Sequence, residues 1–168
     1  PQEAAVPYGF LDEDLPHQVR LFGNYRFNFD RFGSLSLGGL VTYQSGRNWS
    51  KVASVPVNDD PNQLNDTPGT YNHFFDGRGH NRFSGWWSLD FSARYQIQIW
   101  KDVNAWLKFN VINILDNDEQ TSYGTAGFAA ENDAGTLVWN PSGSFGSAPT
   151  AAYYQTPREY LFTIGFLF

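Results

Sequence analysis

Apolar and polar residues alternate along five separate stretches of this chain. Between Gln18 and Phe29, Val19, Leu21, Tyr25, Phe27 and Phe29 share one parity while Arg20, Asn24, Arg26 and Asn28 share the other, with Phe22 the exception. Leu35, Leu37, Gly39, Val41 and Tyr43 then alternate with Ser34, Ser36, Gly38, Leu40, Thr42 and Gln44. The pattern is cleanest from Trp87 to Ile99, where Trp87, Leu89, Phe91, Ala93, Tyr95, Ile97 and Ile99 are apolar and every residue between them is polar. Val103, Ala105, Leu107, Phe109 and Val111 face away from Asn104, Trp106, Lys108 and Asn110, and the alternation loosens over Ile112 to Leu115. The closing stretch puts Tyr160, Phe162, Ile164, Phe166 and Phe168 on one side. A period of two marks a strand with one apolar face, so the pattern predicts an all-β chain of about five strands. No segment carries a convincing helical period.

The connections are unequal. Asp30-Arg31-Phe32-Gly33 and Trp100-Lys101-Asp102 are tight turns that make hairpins of their flanking strands. The intervals of about 46–85 and 117–156 have no sustained period and are rich in Gly, Asn, Ser and Asp. Loops of that length are uncommon in a compact domain. Residues 1–15, with Pro1, Pro7, Gly9 and the acidic Asp12, Glu13 and Asp14, read as the end of another exposed loop. Short turns at one end, long loops at the other and a charge-free apolar face are the marks of antiparallel transmembrane β-barrel strands, and about 9–11 tilted residues cross a bilayer. Phe29, Phe32, Trp100 and Phe168 would form one interfacial girdle, and Tyr43, Trp86, Trp87 and Tyr160 the other. Residues 16–168 are then barrel wall, with Asn62 and Asn132 in extracellular loops and Arg31 and Lys101 in periplasmic turns. Bacterial single-chain barrels have an even number of strands, eight at least. Five strands therefore predict the C-terminal portion of a larger barrel.

Composition changes this picture little. Aromatic residues make up 18% of the chain while mean hydropathy is only −0.44, the combination expected when every second strand residue meets lipid and the loops are polar. With no cysteine there is no disulfide framework and no thiolate metal site. A net charge of −6 without a basic stripe speaks against a nucleic-acid partner.

Candidate chemistry is sparse. Arg20, Arg26, Asp90, Arg94 and Lys108 lie on the parity opposite the apolar face and are expected to point into the lumen, where the simplest reading is charge in a wet or plugged interior. Trp49, Tyr71, Phe74 and Phe75 in the first long loop, with Tyr123, Phe128 and Trp139 in the second, offer a ligand or partner surface, although packing of the loops on one another is the preferred reading. His73, Asp76 and His80 have the donor types for zinc, and Asp116, Asp118, Glu119, Glu131 and Asp133 those for calcium, but neither spacing matches a known ligand pattern. No metal site, cofactor or catalytic motif is assigned.

Asn113-Ile114-Leu115-Asp116-Asn117 resembles the Asn-Leu-Phe-Asp stretch that ends the penultimate strand of TonB-dependent receptors of the outer membrane. Pro157-Arg158-Glu159-Tyr160, running on in alternation to a terminal Phe, resembles that family's last strand. Tyr43 to Trp49, Gly77 to Arg82 and Ser144 to Ser147 are similar to loop segments of its Oar-like branch. The resemblance covers roughly residues 16–168. It implies a plugged barrel of about 22 strands in the outer membrane of a Gram-negative bacterium, and ligand uptake energised through TonB. Tyr160, Phe162, Gly165, Phe166 and Phe168 would be the insertion signal read by the barrel-assembly machinery. The other strands, the plug and TonB are the implied partners, beside the lipid itself. A non-transporting barrel for adhesion or surface assembly, and a soluble β-sandwich binding module, are the alternatives.

Overall fold

The computed structural model describes residues 8–56 and 69–168. The strands in chain order are β1 (Gln18–Asn28), β2 (Ser34–Gln44), β3 (Asn48–Trp49), β4 (Val52–Pro56), β5 (Thr70–Phe74), β6 (Asn81–Arg82), β7 (Trp86–Trp100), β8 (Val103–Ile112), β9 (Gly127–Glu131), β10 (Leu137–Pro141) and β11 (Glu159–Leu167). Two short 3-10 turns, Asp30–Phe32 and Ala151–Tyr153, are the helical elements among the described residues, and no helix there is long and apolar enough to cross a membrane. The predicted positions 1–7 and Asn62 lie outside the described residues.

The fold is all-β and antiparallel. The five long strands form one open sheet in the order β1-β2-β7-β8-β11, with β1 and β11 at its edges. The remaining ladders, β3 with β6, β4 with β5 and β9 with β10, are two-stranded. The chain divides into a sheet unit (Pro16–Ser45, Gly85–Glu119, Tyr154–Phe168) and a loop unit (Pro1–Leu15, Gly46–Ser84, Gln120–Tyr153).

In the sheet unit the register keeps parity from strand to strand. Tyr25 stands opposite Leu37, Leu37 opposite Ala93, Ala93 opposite Phe109 and Phe109 opposite Phe162. The next rung runs Phe27, Leu35, Tyr95, Leu107 and Ile164. One face is therefore apolar and free of charge across all five strands. β-branched and aromatic side chains of this kind fit a pleated surface, and cross-strand pairs such as Phe109 and Phe162, with ring centroids 4.6 Å apart, add to the ladder. Yet this face is not a core. Tyr25, Phe162 and Ile164 are 66%, 72% and 70% exposed, and Val111 is the buried apolar residue of the sheet unit among the described residues.

The β1–β2 turn is set by two backbone conformations. Asp30 (φ 46°) and Gly33 (φ 91°) both take the left-handed region, and Phe29 N–H donates to Gly33 O at 2.8 Å. A Cβ on Gly33 would run into the backbone of Gln96 and Ile97, so the tight turn needs glycine there.

Inside the loop unit the long intervals hold more structure than their sequence suggested. Asn48 and Trp49 pair with Arg82 and Asn81, Val52–Pro56 pairs with Thr70–Phe74, and Gly127–Glu131 with Leu137–Pro141. Strands of two residues have no period to read, and β4 and β5 pair across a separation that hides their relation.

Candidate functional site

At the end of β8 the strand stops because Asn113 turns left-handed (φ 50°), a conformation Asn tolerates better than most residues. Its side chain, 1% exposed, then works as a hub. Asn113 Nδ2 donates to Asn117 O (2.8 Å) and Thr156 O (2.9 Å), and Asn113 Oδ1 accepts from Asn117 N–H (3.1 Å). Its backbone N–H donates to Asp90 Oδ1 at 2.9 Å, so the one acid of β7 is committed at this end of the sheet. Asn117 Nδ2 (3.1 Å) and Gln155 Nε2 (2.8 Å) both donate to Trp87 O. Arg158 completes the cluster with an ion pair to Asp116 at 3.0 Å. Buried polar groups must be paired, and this network ties β7, β8 and the approach to β11 together. The sequence marked Asn113 to Asn117 as the place where the alternation fails, by its resemblance, and through Asp116 as a calcium donor type, but not as a hydrogen-bonded hub; an Asn that ends an alternating run, with Asp and Asn soon after, is a turn signal.

The polar face of the sheet holds the predicted lumen residues. Register places Arg20 opposite Thr42, and Arg26 in one rung with Ser36, Arg94, Lys108 and Thr163. Asp90, Arg94 and Lys108 are half-buried; Arg20 and Arg26 are exposed. Arg94 lies over the ring of Trp106, 4.8 Å from its centroid, an association the parity of Trp106 alone did not reveal. Trp106 in turn lies across Gly165, where an added Cβ would sit 2.6 Å from Trp106 Cζ2. An open cavity of about 330 Å³ lies over this face, between Phe22, Gly38, Leu40, Asp90, Asn110 and Leu161. Phe22, the exception in the sequence pattern, is part of its apolar wall.

The other predicted residues fall in separate places. Tyr160, Phe162 and Phe166 are exposed on the apolar face, Gly165 is on the polar face, and Phe168 follows the end of β11 at 95% exposure. In the loop unit Trp49 is buried, with Phe83, Tyr123 and Phe145 around it at centroid distances of 6.2, 6.0 and 5.8 Å. Trp139 meets Phe145 at 5.3 Å, and its Nε1 donates to Val52 O at 3.4 Å. These aromatics form the interior of the loop unit. Tyr71, Phe74 and Phe75 are half-buried, and His73 lies between the Tyr71 and Phe75 rings, 6.1 and 4.6 Å away. Phe128 is exposed on β9.

Asp76 and its predicted histidine neighbours do not assemble around an ion. Lys51 Nζ lies 2.6 Å from Asp76 Oδ2, and this hydrogen bond holds the Asp76 carboxyl below its ordinary pKa of 3.8, with Asn81 and the charges of Lys51 and His80 adding to it against a desolvation that acts the other way. Of the candidate calcium ligands, Asp116 is taken by Arg158. Among the described residues no group of three or more His, Asp or Glu is arranged to hold a metal ion.

No family model matches the chain, and no curated protein or solved structure matches it either.

Proposed function

We propose that the five-stranded sheet is part of the wall of an outer-membrane β-barrel, belonging to a receptor of the TonB-dependent kind. The observation that carries this reading is the apolar face, continuous and uncharged over β1, β2, β7, β8 and β11 and left exposed. Burying one large apolar side chain is worth roughly 1.5–3 kcal/mol. Leaving so many of them in water forfeits far more than the stability of an ordinary domain, about 5–15 kcal/mol. Lipid against this face removes that cost. A soluble sandwich would need a second sheet over it.

Three further features support the same reading. The hairpins β1–β2 and β7–β8 have tight connections, while the long intervals leave β2 and β8 at the opposite end. Charge on the five strands is confined to the other face, as the cost of roughly 2–4 kcal/mol for a lipid-facing Arg or Lys near the bilayer midplane requires. The edges β1 and β11 carry unpaired backbone groups that hydrocarbon does not tolerate, so they pair with further strands of a closed barrel. Ligand uptake, the plug, coupling to TonB and a place in the outer membrane are what the resemblance of Asn113 to Asn117 and of the last strand implies.

Cysteines placed singly at positions 90 and 91 decide between lipid and water. A lipid-phase reagent should label position 91 in place of Phe91 strongly and position 90 in place of Asp90 weakly. Stronger labelling at 90 would reverse the faces and end the proposal.

A further inference from the structure

The rung Arg26–Ser36–Arg94–Lys108–Thr163 has no acid in it. Arg94 and Lys108 stand directly opposite each other, a like-charge pairing that ordinarily destabilises a ladder. None of the ion pairs among the described residues involves Arg26, Arg94 or Lys108. Neighbouring strands are about 4.8 Å apart, so three cations lie along roughly 14 Å of one rung. The acid nearest along β7, Asp90, is four residues from Arg94, about 13 Å away at the rise of a strand, and it already accepts from Asn113 N–H. Glu159 shares this face but pairs opposite Ile112, at the same far level.

The two arginines are also held in place without using up their charge. Arg94 is stacked on Trp106, and its Nε is buried with no hydrogen-bond partner among the described residues. Arg26 Nε donates to Ser36 Oγ at 3.3 Å. Hydroxyls of Ser36 and Thr163 stand in the same rung. A buried guanidinium N–H without an acceptor is costly, and a planar guanidinium is the group best matched to carboxylate or phosphate oxygens.

We infer that the Arg26–Arg94–Lys108 rung is a binding site for a small polyanion bearing carboxylate or phosphate groups. Arg94 meets one anionic group with its stacked guanidinium, Lys108 neutralises the same group from the next strand, and Arg26 reaches a second group two strands away. The apolar wall of Phe22, Leu40 and Leu161 beyond Asn110 leaves room for the organic part of such a molecule. The site stands on the polar face of the sheet itself and does not depend on whether the opposite face meets lipid.

The test follows the Arg94 side-chain Nε–Hε resonance of the full-length protein in detergent micelles during titration with citrate, with inorganic phosphate and with chloride at matched ionic strength. Citrate or phosphate should shift the resonance saturably, and chloride should not; the stronger of the two identifies the source of the anion. Lys108→Gln should weaken the response by about tenfold, the loss of one charge-assisted contact. Arg94→Lys, which keeps the charge, provides a second variant read through the Trp106 indole resonance and should also bind more weakly. Lys101→Gln, in the turn, should leave binding unchanged. A linear response equal for all three salts, or saturable binding indifferent to Lys108→Gln in protein that retains its β-sheet circular dichroism, would overturn the site. Either result leaves the labelling test of the membrane reading untouched.

Discussion

Gly165 shows how much one missing side chain decides. Its rung partner Trp106 lies across it, and Arg94 lies over the same ring. Gly165→Ala should destabilise the sheet by about 1–3 kcal/mol through overpacking, measured by urea unfolding in micelles. Combined with Trp106→Ala the two losses should fall well short of adding, because the clash is gone once the ring is gone. The parity of the sequence put Trp106 and Gly165 on the polar side correctly, but their contact depends on the register between β8 and β11, which a single chain does not display. Asn113 is the second such residue. Asn113→Ala loses the hub and must still turn left-handed, for a cost of about 2–4 kcal/mol. Asn113→Gly loses only the hydrogen bonds and should be milder by about 1 kcal/mol; equal losses in unfolding experiments would mean that the backbone turn contributes nothing.

At the level of elements, legibility followed the one-sidedness of each strand. β7 could be read almost to its ends because every second residue from Trp87 to Ile99 is apolar and no polar residue intrudes. The loop ladders could not, since β3 and β6 are two residues each and the one aromatic they carry, Trp49, serves a core built from distant segments. Lys51 and Asp76, just outside β4 and β5, close that hairpin with an ion pair. Asp76 is held below 3.8, so its contribution is complete above that ordinary value and disappears as pH falls through the lower, folded one. The pair is partly exposed and worth roughly 0.2–1 kcal/mol. Amide protection at Ala53 and Tyr71 should therefore hold steady from pH 8 to about 5 and drop towards pH 3, and Asp76→Asn should lower it at neutral pH and flatten the profile. A wild-type profile that does not change in acid would remove the pair from the account of the hairpin.

On the scale of the whole chain the two units alternate along the sequence, the loop unit being gathered from three segments and the sheet unit from three others. The proposed topology places the exposed turn at Asn132, whose Oδ1 accepts from the N–H groups of Ala134 (3.1 Å) and Thr136 (2.9 Å), outside the cell. An epitope inserted there should be reached by antibody on intact cells, whereas one at Lys101 should require permeabilised cells; the opposite pattern would invert the barrel. The register of the sheet has an evolutionary consequence as well. Gln44 stands opposite Trp86, and Gln155 N–H donates to Glu119 O at 2.9 Å, so the long excursions leave and rejoin the sheet at neighbouring positions. Closing a loop between fixed ends costs only about 0.6 kcal/mol more for each doubling of its length. Insertions and deletions beyond these points are therefore nearly invisible to the strands, and a lineage can rewrite its long intervals wholesale while inheriting the same rungs.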